Sequence, residues 1–136
     1  MESTPLESQT SDQDPLAAIR RANREFYRAF ESLSLERMQD VWLDTPGIKC
    51  VHPGWKPLFE WDPIMESWAR IFENTGYMEF DVQDETIFVN NDLAVVSLFE
   101  VLSAVQGGQS MQGAVNATNV YLMRDGVWKM IVHHAS

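Results

Sequence analysis

The chain has little positive charge. Its 136 residues include 10 lysines and arginines against 20 aspartates and glutamates, which gives a net charge of −10. Neutralising phosphates requires clustered basic residues, and we interpret those of this chain as dispersed, which argues against a nucleic-acid partner. The acidic excess also argues against anionic membranes and anionic substrates, except where a pocket locally inverts the sign of the charge.

Cysteine and long apolar segments are also scarce. Cys50 is the only cysteine, which excludes an intramolecular disulfide and a cysteine-based zinc site. No apolar run is long enough to span a membrane, and no basic segment followed by an apolar one marks the chain for export. These features predict a cytoplasmic protein without a membrane partner.

Apolar and aromatic residues, by contrast, are plentiful. Hydrophobic residues make up 45% of the chain, as in an ordinary globular protein, and the length fits one domain. The five tryptophans, seven phenylalanines and three tyrosines suit a cavity wall or an interface as well as a core. Residues 1–13 are polar with little apolar content, so we predict a disordered leader there and one domain over residues 14–136.

The first half of the domain carries apolar residues at the three- and four-residue spacing of amphipathic helices. Asp14-Pro15 has the form of an N-cap followed by a proline in the first turn, and predicts a helix to about Glu31. Ser34 starts a second, short helix. Asp62-Pro63 repeats the cap and proline and predicts a third helix, which Thr75-Gly76 ends through a left-handed glycine.

The second half has the pattern of strands. One short β-prone run and four longer ones are separated by turns, at residues 48–52, 78–89, 93–105, 114–123 and 127–135. Asp125-Gly126 between two apolar runs is a strong hairpin signal. Because a terminal strand at a sheet edge would fray, we expect the last strand in the middle of the sheet. Helices followed by a meander predict an α+β fold with helices on one face, which leaves the other face for a second copy.

Motifs spread over nearly the whole domain carry a family resemblance. They are Val51-His52-Pro53-Gly54-Trp55, Trp68, Glu100, Ala117-Thr118-Asn119-Val120, Asp125-Gly126, Trp128, His134 and Ser136. With this order of elements, the chain resembles the nuclear-transport-factor-2-like (NTF2-like) superfamily, and within it the SnoaL-like and DUF4440-like members. The resemblance implies a cone-shaped α+β fold with a strongly curved antiparallel sheet packed against N-terminal helices, a pocket at the wide end, and a homodimer.

The superfamily includes enzymes and non-enzymes, so the resemblance leaves the activity open. Ketosteroid isomerase-like members use an aspartate base that this chain replaces in the Cys50–His52 region, so isomerase activity is not carried over. The association domain of a calmodulin-dependent kinase has pocket arginines at positions that match Asn119 and Ala135, and this chain lacks both. That comparison implies that the face with Ala117, Asn119 and Tyr121 looks into the cavity.

His52 and Glu100 are the main catalytic candidates. His52 ends a short strand before Pro53-Gly54, where a rigid turn would hold the imidazole at a cavity rim as a general acid or base. The alternative is a structural histidine that fixes the turn. Glu100 follows alternate apolar residues on one face of a strand, where burial would raise its pKa towards that of a catalytic group. Its alternative role is a paired carboxylate that holds strands in register.

His133 and His134 are adjacent in the last strand, so they must face opposite sides of the sheet. They cannot chelate one metal ion together, and with three histidines and no supporting acidic spacing we predict no metal site. The alternation with Ala135 points His133 towards the pocket, as a third catalytic candidate. His134 stays a ligand-binding candidate because the end of a strand often twists.

The remaining ligand-binding candidates are aromatic or amide side chains, namely Tyr27, Trp55, Trp61, Trp68, Asn119 and Tyr121. The aromatic ones suit a wall for a flat apolar ligand, although Trp68 lies on a helical stripe, where core packing is the alternative. Asn119 can orient a substrate carbonyl through its amide, or bond across strands.

Three functional hypotheses remain. The first is a homodimeric protein with an apolar cavity that binds a small, mostly apolar molecule. The second is a cofactor-free lyase, isomerase or cyclase that uses His52 and Glu100 for acid–base chemistry. The third is an association domain like that of a calmodulin-dependent kinase. None needs a cofactor, and the expected partners are a small-molecule ligand and a second copy bound through the sheet face. Convergence of His52, Glu100 and Asn119 on one cavity would favour the enzyme.

Overall fold

The fold consists of helices followed by strands, as the sequence predicts. The computed structural model describes residues 14–136, and the predicted leader lies outside them. Within that range the elements are α1 (Pro15–Ser32), α2 (Leu35–Val41), β1 (Lys49–Val51), β2 (Leu58–Phe59), α3 (Trp61–Glu73), β3 (Thr75–Asn90), β4 (Leu93–Gln106), β5 (Gln109–Arg124) and β6 (Val127–Ala135). The predicted α+β class is confirmed. Within residues 14–136, no helix combines the length and the apolar composition that a membrane span requires.

The strands form one curved, open sheet with the order β2-β1-β6-β5-β4-β3. The last strand, β6, pairs with β1 in parallel and with β5 in antiparallel orientation. The prediction that the C-terminal strand lies inside the sheet is therefore confirmed. The short strand β2 is absent from the sequence prediction, and β3 forms one edge of the sheet.

Two hairpins have the turn chemistry that the sequence predicts. Gly107 and Gly108 have φ angles of 57° and 80°, and Asp125 and Gly126 have φ angles of 55° and 80°. Two consecutive residues with positive φ are typical of the type I′ turn, which matches the twist of the strands on either side. The predicted hairpins at both places are confirmed.

The starts of the first two helices agree with prediction. The side chain of Asp14 accepts a hydrogen bond from the N–H of Leu16, and that of Ser34 accepts one from the N–H of Arg37. Each satisfies an amide that would otherwise lack a partner at the helix start.

Both predicted ends of α3 are wrong. The helix already begins at Trp61, with Asp62 and Pro63 inside its first turn, and the preceding Glu60 makes no side-chain cap. It ends at Glu73 without a left-handed glycine, because the N–H of Asn74 bonds to the carbonyls of the last turn. Thr75 and Gly76 already belong to β3.

A bulge in β3 also has no counterpart in the sequence prediction. The pairing of β3 with β4 shifts between Gln83 and Thr86, where Asp84 has a φ of 56°. A bulge redirects the side chains next to it. Here Glu85 extends from β3 to Asn23 of α1, with 2.7 Å between Oε2 and Nδ2.

Candidate functional site

Polar side chains from four elements meet beneath α1, in the layer between that helix and the sheet. Asn23 and Tyr27 lie four residues apart on the buried side of α1, so they point in the same direction. Asn119 and Tyr121 alternate on β5 and therefore also share a face, which is buried. The sheet register places His133 of β6 opposite Asn119. Glu100 reaches the same layer from β4 and is 4% exposed.

The hydrogen bonds of Asn119 fix the protonation of its neighbours. Its amide nitrogen donates to Asn23 Oδ1 at 2.9 Å and to the Tyr27 hydroxyl at 3.2 Å. Its Oδ1 therefore accepts from His133 Nδ1, 2.6 Å away. Consequently the Nδ1 of His133 carries the hydrogen, and Nε2 carries the lone pair in the neutral imidazole.

Two carboxyl groups end the network. The Tyr27 hydroxyl donates to Glu100 Oε2 at 2.6 Å. Among residues 14–136, the Glu100 carboxyl makes no other side-chain hydrogen bond. On the other branch, Asn23 Oδ1 also accepts from Tyr121 at 2.7 Å, while its Nδ2 donates to Glu85. The network thus runs from a buried imidazole to one buried and one exposed carboxyl group.

Burial shifts the pKa values in this network. It raises the pKa of Glu100 from 4.5 to about 7, against the opposing effect of the hydrogen bond from Tyr27. Burial and the neighbouring Glu100 charge raise the pKa of Tyr27 as well, so the phenol keeps its proton. The pKa of His133 lies well below 6.5 because of burial, with smaller contributions from the charges of His52 and His134. One hydrogen-bond network therefore contains a carboxyl group whose pKa is near neutral pH, Glu100, and an uncharged imidazole, His133.

His52 belongs to a separate, adjacent cluster. The Ser67 hydroxyl donates to the carbonyl of Ile64 at 2.6 Å, so its oxygen accepts from His52 Nε2 at 2.9 Å. The lone pair of His52 is thus on Nδ1. Burial lowers the pKa of His52 to about 4 and raises that of Cys50, whose sulfur lies 3.6 Å from Nε2. A thiol in that environment stays protonated, which argues against a cysteine nucleophile.

Aromatic rings fill the space between the two imidazoles and the helices. Trp68 has no solvent exposure and lies within 6.0 Å of five rings, those of Phe26, Phe30, His52, Phe72 and His133. Its indole nitrogen is buried and has no hydrogen-bond partner among the residues that the structure describes. The predicted apolar cavity stays a prediction.

Two clefts flank α1 and reach the network from outside. The β3 cleft, about 310 Å³, lies between α1 and β3 and is lined in part by Asn23 and Tyr27. The hairpin cleft, about 490 Å³, lies between the first two helices and the β5–β6 hairpin and is lined in part by Tyr121. Both volumes fall in the range of small-molecule sites. His52, Glu100, Asn119 and His133 are buried and line neither cleft.

The predicted site residues fall into three groups. The structure joins Tyr27, Glu100, Asn119, Tyr121 and His133 in one buried hydrogen-bond network. His52 and Trp68 are buried in the adjacent cluster, so His52 does not converge with Glu100 and Asn119 on one cavity. His134 is exposed on the outer face of the sheet, Trp55 is 37% exposed beside His52, and Trp61 is half-buried at the start of α3. The predicted roles of all these residues stay predictions.

The sequence interpretation missed Asn23 and Ser67. Asn23 lies four residues after Ile19 and three before Phe26, on the buried stripe of α1, where an amide is unusual and needs partners. A polar residue at a buried helical position could therefore have identified Asn23 from the sequence. Nothing in the sequence distinguishes Ser67, because a serine beside an apolar helical stripe is ordinary. Between residues 14 and 136, no three histidine, cysteine, aspartate or glutamate residues are placed to hold a metal ion.

Comparison with known proteins agrees with this architecture. Residues 19–136 match the SnoaL-like domain. A proposed dehydratase of the NTF2-like family from Streptomyces avermitilis is 34% identical, with 88% of this chain and 92% of that chain covered and a TM-score of 0.82. A proposed calcium/calmodulin-dependent protein kinase type II association domain from Thiobacillus denitrificans is 30% identical, with 90% and 93% covered and a TM-score of 0.76.

A curated plant relative is longer than this chain. F-box protein SKIP8 from Arabidopsis thaliana is 28% identical over 119 residues, which cover 88% of this chain and 49% of that protein. The chain thus spans about half the length of that relative. From the match over residues 19–136 and the similarity to the Streptomyces structure, the chain belongs to the SnoaL-like domain family of the NTF2-like superfamily.

Proposed function

We propose that the domain binds a small, mostly apolar molecule beside α1, and that Glu100 and Tyr27 exchange a proton with it. The observation that carries the proposal is the 2.6 Å hydrogen bond between the Tyr27 hydroxyl and the buried Glu100 carboxyl. Tyr27 also lines the β3 cleft, so it connects a ligand-sized space with that carboxyl.

The chemistry suits acid–base catalysis without a cofactor. A carboxyl with a pKa of about 7 can give or take a proton near neutral pH at similar cost. Tyr27 lines the cleft and keeps its own proton, so it would relay a proton between the ligand and Glu100. Through this relay the carboxyl would take a proton from one carbon of the ligand and return it to the leaving hydroxyl of the adjacent carbon. The neutral imidazole of His133 holds Asn119 in place, and Asn119 in turn donates to the Tyr27 hydroxyl. The similarity to a proposed dehydratase at 34% identity supports this reaction class.

The test is a thermal-shift screen of small carbonyl and hydroxyl compounds on the wild type, Glu100→Gln and Tyr27→Phe. We expect compounds that stabilise the wild type with a strength that changes between pH 6 and pH 8, as Glu100 loses its proton. This pH dependence should vanish in Glu100→Gln, and His134→Ala, on the outer face, serves as the control. Equal stabilisation of all four proteins at every pH would refute the proposal.

We also propose that two copies associate through the outer face of the sheet. Val95, Val120 and Val132 lie in one row across β4, β5 and β6, with side chains on the face opposite Asn119 and His133. Arg124, at the end of β5, is the one charged residue at an outward position of β4 or β5. Since two chains of net charge −10 repel each other, the uncharged middle of this face, around the valine row, is the surface on which they can meet. The similarity to a proposed association domain at 30% identity supports self-association.

Analytical ultracentrifugation of Val120→Glu tests this association. The wild type should sediment as a dimer and Val120→Glu as a monomer, because the substitution places a charge at the centre of the valine row. Gln39→Glu adds the same charge on α2, in the helical layer, and should stay dimeric. A monomeric wild type, or a dimer of Val120→Glu with unchanged affinity, would contradict the proposal. The cytoplasmic location stays a prediction.

A further inference from the structure

We infer that three arginines of α1 recognise an anionic group, a carboxylate or a phosphate, on the ligand of the β3 cleft. The residues are Arg20, Arg24 and Arg28, which line this cleft together with Asn23 and Tyr27. The inference rests on the proposed function in one respect, since it takes the β3 cleft as the ligand site. It adds the chemical class of the ligand.

The arginines form a row along one side of the helix. They recur at four-residue spacing, which places neighbouring side chains about 6 Å apart on the same side. With Arg21, four of the ten basic residues of the chain lie on α1. The interpretation of the basic residues as dispersed is therefore wrong, because helical periodicity brings residues together that are separated in sequence.

The row has no ionic partner among residues 14–136. The ion pairs of that range are Arg37–Glu25 and Arg70–Glu66. Three like charges at four-residue spacing repel each other, and a bound anion would relieve this repulsion. The guanidinium groups also have the planar donor geometry that carboxylates and phosphates accept.

Two acidic residues line the same cleft, but each already accepts a hydrogen bond across it. Glu31 accepts from the backbone N–H of Phe80 at 2.9 Å. Glu85, placed by the β3 bulge, accepts from Asn23 at 2.7 Å. Both carboxylates thus connect α1 with β3. Three arginines against two engaged acids leave the cleft positive in a protein of net charge −10.

The opposite wall of the cleft is apolar. Phe80 and Val82 of β3 line it, and the Phe80 ring lies 5.1 Å from that of Tyr27. A ligand with an anionic group on the arginine row would therefore lay an apolar body over Phe80. Its far end would lie beside Tyr27, which holds the hydrogen bond to Glu100. The arrangement selects a small amphipathic anion over a neutral hydrocarbon or an inorganic ion.

Titration calorimetry with defined probes tests the inference. Phenylacetate and phenyl phosphate carry the two anionic groups, 2-phenylethanol is the neutral control, and inorganic phosphate tests the apolar wall. We expect at least one aromatic anion to bind the wild type more tightly than 2-phenylethanol and inorganic phosphate. Its affinity should fall about tenfold in Arg24→Gln and be lost in the Arg20→Gln, Arg24→Gln, Arg28→Gln triple variant.

Arg21→Gln is the matched control, because Arg21 lies on the same helix and lines the hairpin cleft instead. It removes the same charge and should leave binding unchanged. Equal loss of affinity in Arg21→Gln and Arg24→Gln would show a general charge effect and overturn the inference. So would aromatic anions that bind no better than 2-phenylethanol, or that bind the triple variant as they bind the wild type.

Glu100→Gln separates this inference from the proposed proton transfer. The arginine row is intact in that variant, so the aromatic anion should still bind. If the aromatic anion binds only when the arginine row is intact, and no compound stabilises the protein in a pH-dependent way, the inference is supported and the proposed proton transfer is wrong. If compounds stabilise the protein in a way that depends on Glu100, and the aromatic anions do not bind, the proton transfer is supported and the inference is wrong.

Discussion

Trp68→Ala is expected to lower the free energy of unfolding by about 4 kcal/mol, the usual cost of truncating a fully buried tryptophan. The residue has no solvent exposure and joins α3 to α1 through its contacts with Phe26 and Phe30, whose ring centres lie 5.9 and 4.7 Å away. It also packs edge-on against His52 at 4.7 Å. Removing the indole would leave a cavity in the centre of the core that these rings cannot close.

Chemical denaturation monitored by circular dichroism measures this loss. Trp55→Ala is the control, because Trp55 also packs edge-on against His52, at 4.9 Å, but is 37% exposed. It should cost about 1 kcal/mol. Similar losses in both variants would mean that the rings around Trp68 repack to fill the space, and would contradict its central role.

Much of the fold could be predicted because its signals are local. The Asp14 and Ser34 caps, the glycine turns and the helical stripes each depend on a few neighbouring residues. The two errors at α3 have the same origin. A proline two residues after the helix start looks like one at the start, and Gly76 follows a helix that Asn74 has already ended. Helix boundaries depend on backbone hydrogen bonds that the sequence does not show.

The candidate site was predictable only in part, because it depends on register. The resemblance to the kinase association domain, extended by the alternation along β5 and β6, predicted that Asn119, Tyr121 and His133 face one side, and the structure agrees. It could not show that Asn23 of α1 completes the network, because that contact joins residues 96 positions apart. Nor could it show that the β3 bulge turns Glu85 towards the helix. The row of arginines required a helix of known length and a cleft beside it.

Glu100→Gln is expected to change how stability depends on pH. The pKa of this carboxyl is about 7 in the folded protein and 4.5 in the unfolded chain, so the folded state holds the proton more tightly. The contribution of Glu100 to stability is therefore complete below pH 4.5 and is lost as the pH rises through 7. A shift from 4.5 to about 7 corresponds to about 3 kcal/mol. Glutamine keeps the shape of the protonated acid and does not titrate.

Urea denaturation at several pH values, with the wild type and Glu100→Gln side by side, isolates this effect. The folded pKa of His52 is about 4, below the unfolded value of 6.5, so its contribution falls as the pH falls below 6.5. Both proteins contain that histidine, and it cancels when their unfolding free energies are subtracted. The difference should move by about 3 kcal/mol in favour of the glutamine variant between pH 4.5 and pH 8. Parallel curves would place the Glu100 pKa near its usual value, and the carboxyl would then be fully ionised at pH 7 and unable to act as an acid.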